Sequence, residues 1–453
     1  MAATAKLFGT DGIRGRANTG SLTPELALAF GRAVASKFGA AGGPLVIGRD
    51  TRISGSMLEA AVAAGAAAMG LDVLLLGVIP TPAVAFLTRH LKGCAGVVIS
   101  ASHNPYEDNG LKLFQGDGYK CDDALEAEME ALILGDALRG CGHPENRIGW
   151  IQPWPDAAAR YAELAVKSFA AGLDLRGLRV VVDAGNGAAY QTTPMVLRAV
   201  GAEVEALNVE PDGININAGC GSTHPEAMQQ ATTKFGAQLG LAHDGDADRL
   251  ICCDETGSLL DGDEMLAVIG LDYLRRGRLK KKTLVATVMS NLGLDACIEA
   301  AGGKVLRSAV GDRYVLELML KDDLNLGGEQ SGHMILRDCN TTGDGLVTAL
   351  EILRIMRETG RPLSELRRGL NKYPQLLVNL KVQKRIPLED LPEVTATVRQ
   401  VEVELRGAGR VLLRYSGTEP KIRLLVETCD PALLQPTAGR IIAALKKNLS
   451  LVD

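Results

Sequence analysis

The sequence predicts an α/β protein: three similar α/β domains with mainly parallel mixed sheets, plus a C-terminal α+β domain, around a central cleft. Three observations predict it. At 453 residues the chain exceeds one ordinary core, given roughly 100 to 200 residues per domain. One pattern recurs three times: an apolar β-run, a polar turn, a small-residue helix, a glycine and a second β-run. After Tyr373 it gives way to alternating strands set around longer helices.

The first copy starts with LVIGRD at Leu45, turns through Ser54 and Gly55, forms a helix from Met57 to about Met69, and returns from Leu71 to Val78. The second is RVVVDAGNG from Arg179, a helix ending near Val200, and a strand from Ala202 to Val209. The third is TLVATVMSN from Thr283, a helix around Leu294 to Ala301, and a strand from Lys304 to Ser308. Strands alternating with helices of this length call for right-handed crossovers and a mainly parallel sheet covered on both faces. The tail predicts strands from Leu376 to Val382, Arg410 to Tyr415 and Lys421 to Thr428, with helices from Leu391 to about Leu405 and from Pro431 to Leu449. Boundaries near Trp154, Thr256 and Leu370 give domains 1–154, 155–256, 257–370 and 371–453.

Composition excludes several classes. Hydrophobic residues make up 46% and charged residues 23%, with mixed signs and a net charge of -5, so neither disorder nor a nucleic-acid partner is expected. The longest apolar runs, such as Ala60 to Pro80, are rich in Ala and Gly and interrupted, unlike a membrane span, and Met1 to Lys6 lacks a signal-peptide core. Nine cysteines without C-x-x-C spacing predict reduced thiols in a cytoplasmic protein.

Each predicted domain carries one polar loop. In VVISASHNPYEDNGLKLF, from Val97 to Phe114, a buried strand runs into small and turn-forming residues and then NG, which predicts an exposed Ser102 at a strand end. A serine there is most often a cap or turn former. His103, Asn104 and Lys112 add donors suited to a phosphorylated hydroxyl. In LGLAHDGDADRLICCDETG, Asp244, Asp246 and Asp248 alternate, and in extended chain alternate side chains share one side. Three such carboxylates repel one another unless a hard cation lies among them, and magnesium suits phosphoryl transfer. An EF-hand is excluded, because Arg249 occupies the sixth place, where that loop needs glycine, and strands flank the segment.

The third loop, NLGGEQSGHMILRD, offers Glu329 and Ser331 for sugar hydroxyls and His333 as a general acid or base. A tight turn with a structurally bonded histidine fits that segment equally well. The fourth, LLRYSGTEPKIRLLVE, presents Arg414, Ser416, Gly417, Thr418, Lys421 and Arg423, a nest for a phosphate dianion. It lacks the G-x-x-x-x-G-K spacing of a nucleotide loop, and no G-x-G-x-x-G follows the first strands.

Together GTDGIRG near Gly9, SASHNP at Ser100, DGDADR at Asp244, GEQSGH at Gly328 and RYSGTEPKIR in the last domain resemble the α-D-phosphohexomutase superfamily, over essentially the whole chain. Within it they look most like the bacterial phosphoglucosamine mutases, partly because Gln330 stands where phosphomannomutase/phosphoglucomutase enzymes typically carry Met. That resemblance implies interconversion of glucosamine 6-phosphate and glucosamine 1-phosphate, feeding UDP-N-acetylglucosamine synthesis, through a phosphoserine at Ser102 and a 1,6-bisphosphate. It implies one Mg2+ held by Asp244, Asp246, Asp248 and the phosphate on Ser102, with glucosamine or glucose 1,6-bisphosphate as primer. Arg14 and Arg249 would orient the phosphoserine and the reacting hydroxyl beside the donor His103; Lys112 and His333 would move protons, and Glu329 with Ser331 would hold sugar hydroxyls. The loop from Arg414 to Arg423, with Ser416, Gly417 and Thr418, would grip the non-reacting phosphate. The expected partner is a small phosphosugar, neither nucleic acid nor membrane, and the resemblance leaves room for a homodimer. Rival readings are a phosphoglucomutase or phosphomannomutase, a silent sugar-phosphate-binding protein, and a phosphatase with Asp244 or Asp246 as nucleophile.

Overall fold

Five runs with apolar residues at nearly every position, LVIGR, AGVVI, RVVVD, LGLAH and TLVAT, need cover on both faces, and they form the central strands of three sheets in a computed structural model of the protein. The structure describes residues 7–9, 11–135, 137–143, 146–415, 421–449 and 451–452. In the first sheet β1 (Ile13–Arg16), β2 (Leu45–Arg49), β3 (Val73–Val78), β4 (Ala95–Ile99), β5 (Asp108–Gln115) and β6 (Ile151–Pro153) run in the order β1-β5-β4-β2-β3-β6. The pairs β4–β2, β2–β3 and β3–β6 are parallel, whereas β4–β5 and β5–β1 are antiparallel.

The second sheet follows the same plan. Strands β7 (Arg179–Asp183), β8 (Glu203–Leu207) and β9 (Leu239–His243) are parallel, and β10 (Leu250–Asp254) and β11 (Leu259–Leu260) extend the sheet antiparallel on the β9 side. In the third, β12 (Thr283–Thr287) lies between β13 (Lys304–Ser308) and β14 (Leu326–Gly328), both parallel to it, and β15 (Met334–Leu336) closes a hairpin with β14. The fourth is antiparallel throughout, in the order β17 (Gly409–Tyr415), β18 (Lys421–Thr428), β16 (Gln375–Val382) and β19 (Leu451–Val452). Three α/β domains with mainly parallel mixed sheets and a C-terminal α+β domain are therefore present. Among the described residues no helix is long and apolar enough to cross a membrane, and all nine cysteines are free thiols.

The chain divides into two compact units. One runs to Ser290 and resumes with Ala301–Gly369; the other joins Asn291–Ala300 to Leu370–Asp453. The crossover between β12 and β13 thus contributes its helix, Leu292–Ala300, to the second unit. Within that unit the Asn291 amide closes on the Tyr373 backbone, donating to its carbonyl at 2.9 Å and accepting from its N–H at 2.9 Å, and the Leu292 N–H donates to Glu427 Oε1 at 2.7 Å.

Two local expectations are corrected. Asn109-Gly110 reads as a turn, yet both residues lie inside β5, and the turn occupies the residues before it. Gly110 is needed there for close approach, since a Cβ would come 2.6 Å from the Ser100 carbonyl oxygen and 2.8 Å from that of Ile13. The last helix begins at Leu434 after a single 3-10 turn, Pro431–Leu433, because Asp430 caps Ala432 and fixes that tighter entry.

Helices Pro24–Phe38 and Gly55–Ala68 pack directly on each other through glycine. A Cβ on Gly65 would lie 2.1 Å from the Leu28 carbonyl oxygen, and one on Gly31 would lie 2.1 Å from that of Val62. Gly65→Ala is therefore expected to destabilise by about 1–3 kcal/mol through overpacking, more than the gain of up to about 1 kcal/mol in helix propensity. A lower urea midpoint checks this; a raised midpoint would mean that the helices separate without cost.

Candidate active site

In open α/β sheets the carboxyl ends of the strands leave backbone and polar side chains free to meet a ligand. Here β2 ends at Asp50 and Arg52, β4 at Ser100 and Ser102, β9 at Asp244, Asp246 and Asp248, and β14 at Glu329. Three domains thus contribute to one polar cluster within the first unit.

Ser102 is not exposed, as the local sequence predicts, but 1% accessible. Its cover comes from residues more than a hundred positions away, which no reading of the loop itself reveals. Gly245 lies so close that a Cβ there would stand 2.6 Å from the Ser102 carbonyl oxygen. The Ser102 hydroxyl donates to Asp244 Oδ2 at 2.6 Å and lies 3.3 Å from His103 Nδ1. Its φ of 54° is left-handed, a conformation that is costly for a residue with a Cβ.

The three carboxylates converge, though not by the extended chain expected from their spacing. After β9 the segment turns, with the Ala247 N–H donating to the Asp244 carbonyl at 3.1 Å and Ala247 itself at φ 58°. Ligand oxygens of Asp244, Asp246 and Asp248 all fall within 4.8 Å of one another, and all three residues are buried. Asp246 Oδ2 accepts from Thr81 Oγ1 at 2.6 Å and from Lys112 Nζ at 2.8 Å; the same ammonium lies 3.5 Å from Asp248 and 2.9 Å from Asp11. Asp246 Oδ1 and Asp248 Oδ1 have no hydrogen-bond partner among the described residues. Asp248 Oδ1 faces only longer ion-pair contacts, His333 Nδ1 at 3.6 Å and Arg249 Nε at 3.9 Å, and buried carboxylate oxygens without hydrogen bonds at this spacing fit a hard divalent cation.

Electrostatics agree with that fit. Burial, then Asp248 and Asp246, push the Asp244 carboxyl up to about 8, against Arg249 and the Ser102 hydrogen bond. Burial alone would raise Asp248 too, but Lys112, His333 and Arg249 outweigh it and hold it well below the ordinary range. Burial works to lower Lys112, yet Asp11, Asp246 and Asp248 raise it, so its ammonium keeps its proton. Burial, Arg249 and Arg14 bring His103 down to about 4, and the neutral ring faces Arg249 Nη1 at 3.2 Å.

His333 is buried beside Asp248 and Asp312, with Nδ1 3.6 Å and Nε2 3.5 Å from their oxygens. Against burial, the two carboxylates raise its pKa. The Gly343 N–H also points at Nε2 from 3.2 Å and needs a lone pair there. The backbone donor has no freedom to turn away, so the ring's proton belongs on Nδ1, toward Asp248. Burial raises Glu329, whose Oε1 accepts from the Gly311 N–H at 3.0 Å. Ser331 stands exposed in the turn between β14 and β15.

Several participants escape the loop motifs. Lys120 Nζ bridges Asp11 at 2.6 Å and Asp312 at 2.5 Å, and Arg14 Nη2 reaches Asp11 at 2.5 Å. Asp11 was legible, since it lies in GTDGIRG beside Arg14; Lys120 and Asp312 belong to segments with no pattern of their own. In the second unit Arg414 and Arg423 are cross-strand partners, and burial with the neighbouring Arg423 lowers the Arg414 pKa. Lys421 opens β18, whereas Ser416, Gly417 and Thr418 lie outside the described residues.

Family models of phosphoglucomutase/phosphomannomutase match four stretches: alpha/beta/alpha domain I over residues 5–139, domain II over 159–257, domain III over 261–373 and the C-terminal domain over 377–444. The phosphoglucosamine mutase of Syntrophotalea carbinolica is 49% identical over 449 residues, covering 98% of each chain. That of Anaeromyxobacter sp. is 51% identical over 450 residues, covering 98% of this chain and 96% of the relative. Among solved structures, a phosphoglucomutase/phosphomannomutase family protein from Burkholderia thailandensis matches with a TM-score of 0.83 at 26% identity, over 99% of both chains. Aspergillus fumigatus N-acetylphosphoglucosamine mutase, solved with GlcNAc-6P and magnesium, shares the fold with a TM-score of 0.70 at 17% identity, over 99% of this chain and 97% of the other.

Proposed function

The chain belongs to the phosphoglucomutase/phosphomannomutase family, and from that premise we propose that it interconverts glucosamine 6-phosphate and glucosamine 1-phosphate through a phosphorylated Ser102. The observation that carries this reading is the Ser102 hydroxyl, 2.6 Å from Asp244 within a buried carboxylate cluster, in a chain whose relatives at 49% and 51% identity are named phosphoglucosamine mutase.

In the proposed cycle the P–O bond on phosphorylated Ser102 breaks as a bond forms to the sugar's C1 oxygen; that oxygen gives up its proton and the Ser102 oxygen takes one up, giving the 1,6-bisphosphate and a free serine hydroxyl. The sugar turns over. The bond between C6 oxygen and phosphorus then breaks as one forms to the Ser102 oxygen, which gives up its proton while the C6 oxygen takes one up, so that Ser102 recovers a phosphoryl group. Such transfers depend on positioning and charge neutralisation. Asp244, Asp246, Asp248 and the phosphate on Ser102 would hold Mg2+, which when bound supplies neutralisation of phosphoryl charge. Neutral His103, 3.3 Å from the Ser102 hydroxyl, accepts a hydrogen bond from Arg249 Nη1, and Arg249 and Arg14 bring positive charge to the same cluster. Lys112, a candidate for proton transfer, acts best as a fixed cation, since three carboxylates keep it protonated. His333 is the candidate for proton acceptance and return, and it would act through Nε2, the nitrogen whose lone pair faces the Gly343 N–H. Glu329 and Ser331 serve the sugar hydroxyls. The cations Arg414 and Arg423, with Ser416, Gly417 and Thr418, serve the phosphate that does not react. Glucosamine or glucose 1,6-bisphosphate primes the enzyme, whose partner is a small phosphosugar.

The test compares kcat/KM on glucosamine 6-phosphate, glucose 6-phosphate and mannose 6-phosphate with primed protein and magnesium. A preference of about tenfold or more for the amino sugar is expected, since a hydrogen bond to a charged group contributes about 1.5–3 kcal/mol. A preference for glucose or mannose would keep the chemistry and change the substrate; turnover on none would sink the reading.

A further inference from the structure

Ser102 is held by its backbone as well as by its side chain, and the holders come from two domains. Its N–H donates to Ser100 Oγ at 2.9 Å, and Ser100 Oγ in turn donates to Asp50 Oδ2 at 2.6 Å. Its carbonyl accepts from Arg52 Nη2 at 2.8 Å and from Asn217 Nδ2 at 3.0 Å. Arg52 is 1% exposed and gathers the loop around one guanidinium: it also donates to the carbonyls of Asn104 at 2.8 Å, Asp108 at 2.9 Å and Pro105. Asp50, wholly buried, faces Arg52 Nε at 2.8 Å and neutralises it. Asn217 reaches across from the loop after β8 and touches the Asn104 carbonyl at 3.3 Å as well. Neither Arg52 nor Asn217 contacts the carboxylate cluster through any hydrogen bond found among the described residues.

We propose that Arg52 and Asn217 form a two-domain clamp on the Ser102 carbonyl, making them positioning residues for phosphoryl transfer. The left-handed φ of Ser102 aims its hydroxyl at Asp244, and an unrestrained serine would relax from it. Three hydrogen bonds to the two backbone groups of this one residue oppose that relaxation. A buried guanidinium meets four carbonyls because its donors are fixed in a planar fork; an ammonium has neither the reach nor the spread. Because the clamp grips the backbone, it holds the serine oxygen in the same place whether or not that oxygen carries a phosphoryl group. The oxygen that gives the group away is then already placed to take the next one back.

This inference rests on the mutase reading, so native protein is assayed alongside the variants; absence of mutase turnover in native protein would refute that reading and the clamp with it. Asn217→Ala, Asn217→Asp and Arg52→Lys are compared by steady-state kinetics, by single-turnover transfer from labelled phospho-Ser102 to sugar phosphate, and by thermal melting. With active native protein, Asn217→Ala is expected to lower kcat and the single-turnover rate together by about tenfold, and Arg52→Lys by about a hundredfold, the scale of a small misplacement of a reacting group. KM stays within about twofold, because no sugar contact is removed. Asn217→Asp falls below Asn217→Ala, since its carboxylate faces a carbonyl oxygen. An unchanged transfer rate in folded Asn217→Ala, or a loss wholly matched by the fraction unfolded, overturns the clamp. Should Arg52→Lys fail to fold, the Asn217 pair decides alone.

Discussion

Ser102→Ala is expected to abolish mutase turnover, to below about one part in a thousand of native activity, because no other group can carry the phosphoryl through a covalent cycle. The fold should survive. Alanine fits the space of serine, and the loss is one hydrogen bond to Asp244, a term on the order of 1 kcal/mol. Circular dichroism should therefore match native protein, and sugar phosphate should still bind. Labelled bisphosphate should transfer phosphorus to native protein and none to the variant. Turnover that persists in Ser102→Ala would move the nucleophile to Asp244 or Asp246 and make the protein an aspartyl phosphatase; binding without turnover in both proteins would favour a silent sugar-phosphate binder.

Removal of divalent metal should be nearly as severe. Chelation is expected to lower kcat by about 100- to 1,000-fold, as is Asp246→Ala, in line with losing one preorganised charge at a phosphoryl site. The structure adds a second readout. Carboxylates within 4.8 Å of one another, two with buried oxygens that accept no hydrogen bond among the described residues, repel in the absence of an ion. An ion that binds only the folded state stabilises it by about 2.7 kcal/mol at a hundred times its dissociation constant. Native protein should accordingly melt at higher temperature in millimolar magnesium, and Asp246→Ala should not respond. A melting point indifferent to magnesium, with turnover intact after chelation, would show that Lys112, Arg249 and His333 balance these acids without a metal.

How far the sequence was legible depends on whether a residue's role is local. The three α/β repeats could be read because a strand buried on both faces must be apolar along its length, as LGLAH and TLVAT are. The acidic triplet could be read because like charges at that spacing demand an explanation. The burial of Ser102 could not, since its cover, Gly245 and Asn217, is supplied from another domain. Arg52 carried no signal either: in GRDTR it reads as a surface turn, and only the folded chain shows four carbonyls around it. Asn109-Gly110 misled for the converse reason, a local turn signal overruled by the close approach of neighbouring backbone. Lys120 and Asp312 meet across 192 positions, with nothing at either end to announce the pair.

The division of the chain at Asn291–Ala300 bears on how such proteins can be recombined. A last domain that begins at Leu370 invites treatment as a cassette, to be cut once and exchanged between relatives. Yet its Tyr373 and Glu427 are matched to Asn291 and Leu292, which are encoded some eighty codons upstream inside another domain's crossover. A working chimaera must carry both pieces from the same parent, and substitutions on the two sides are inherited as one unit even though the gene separates them.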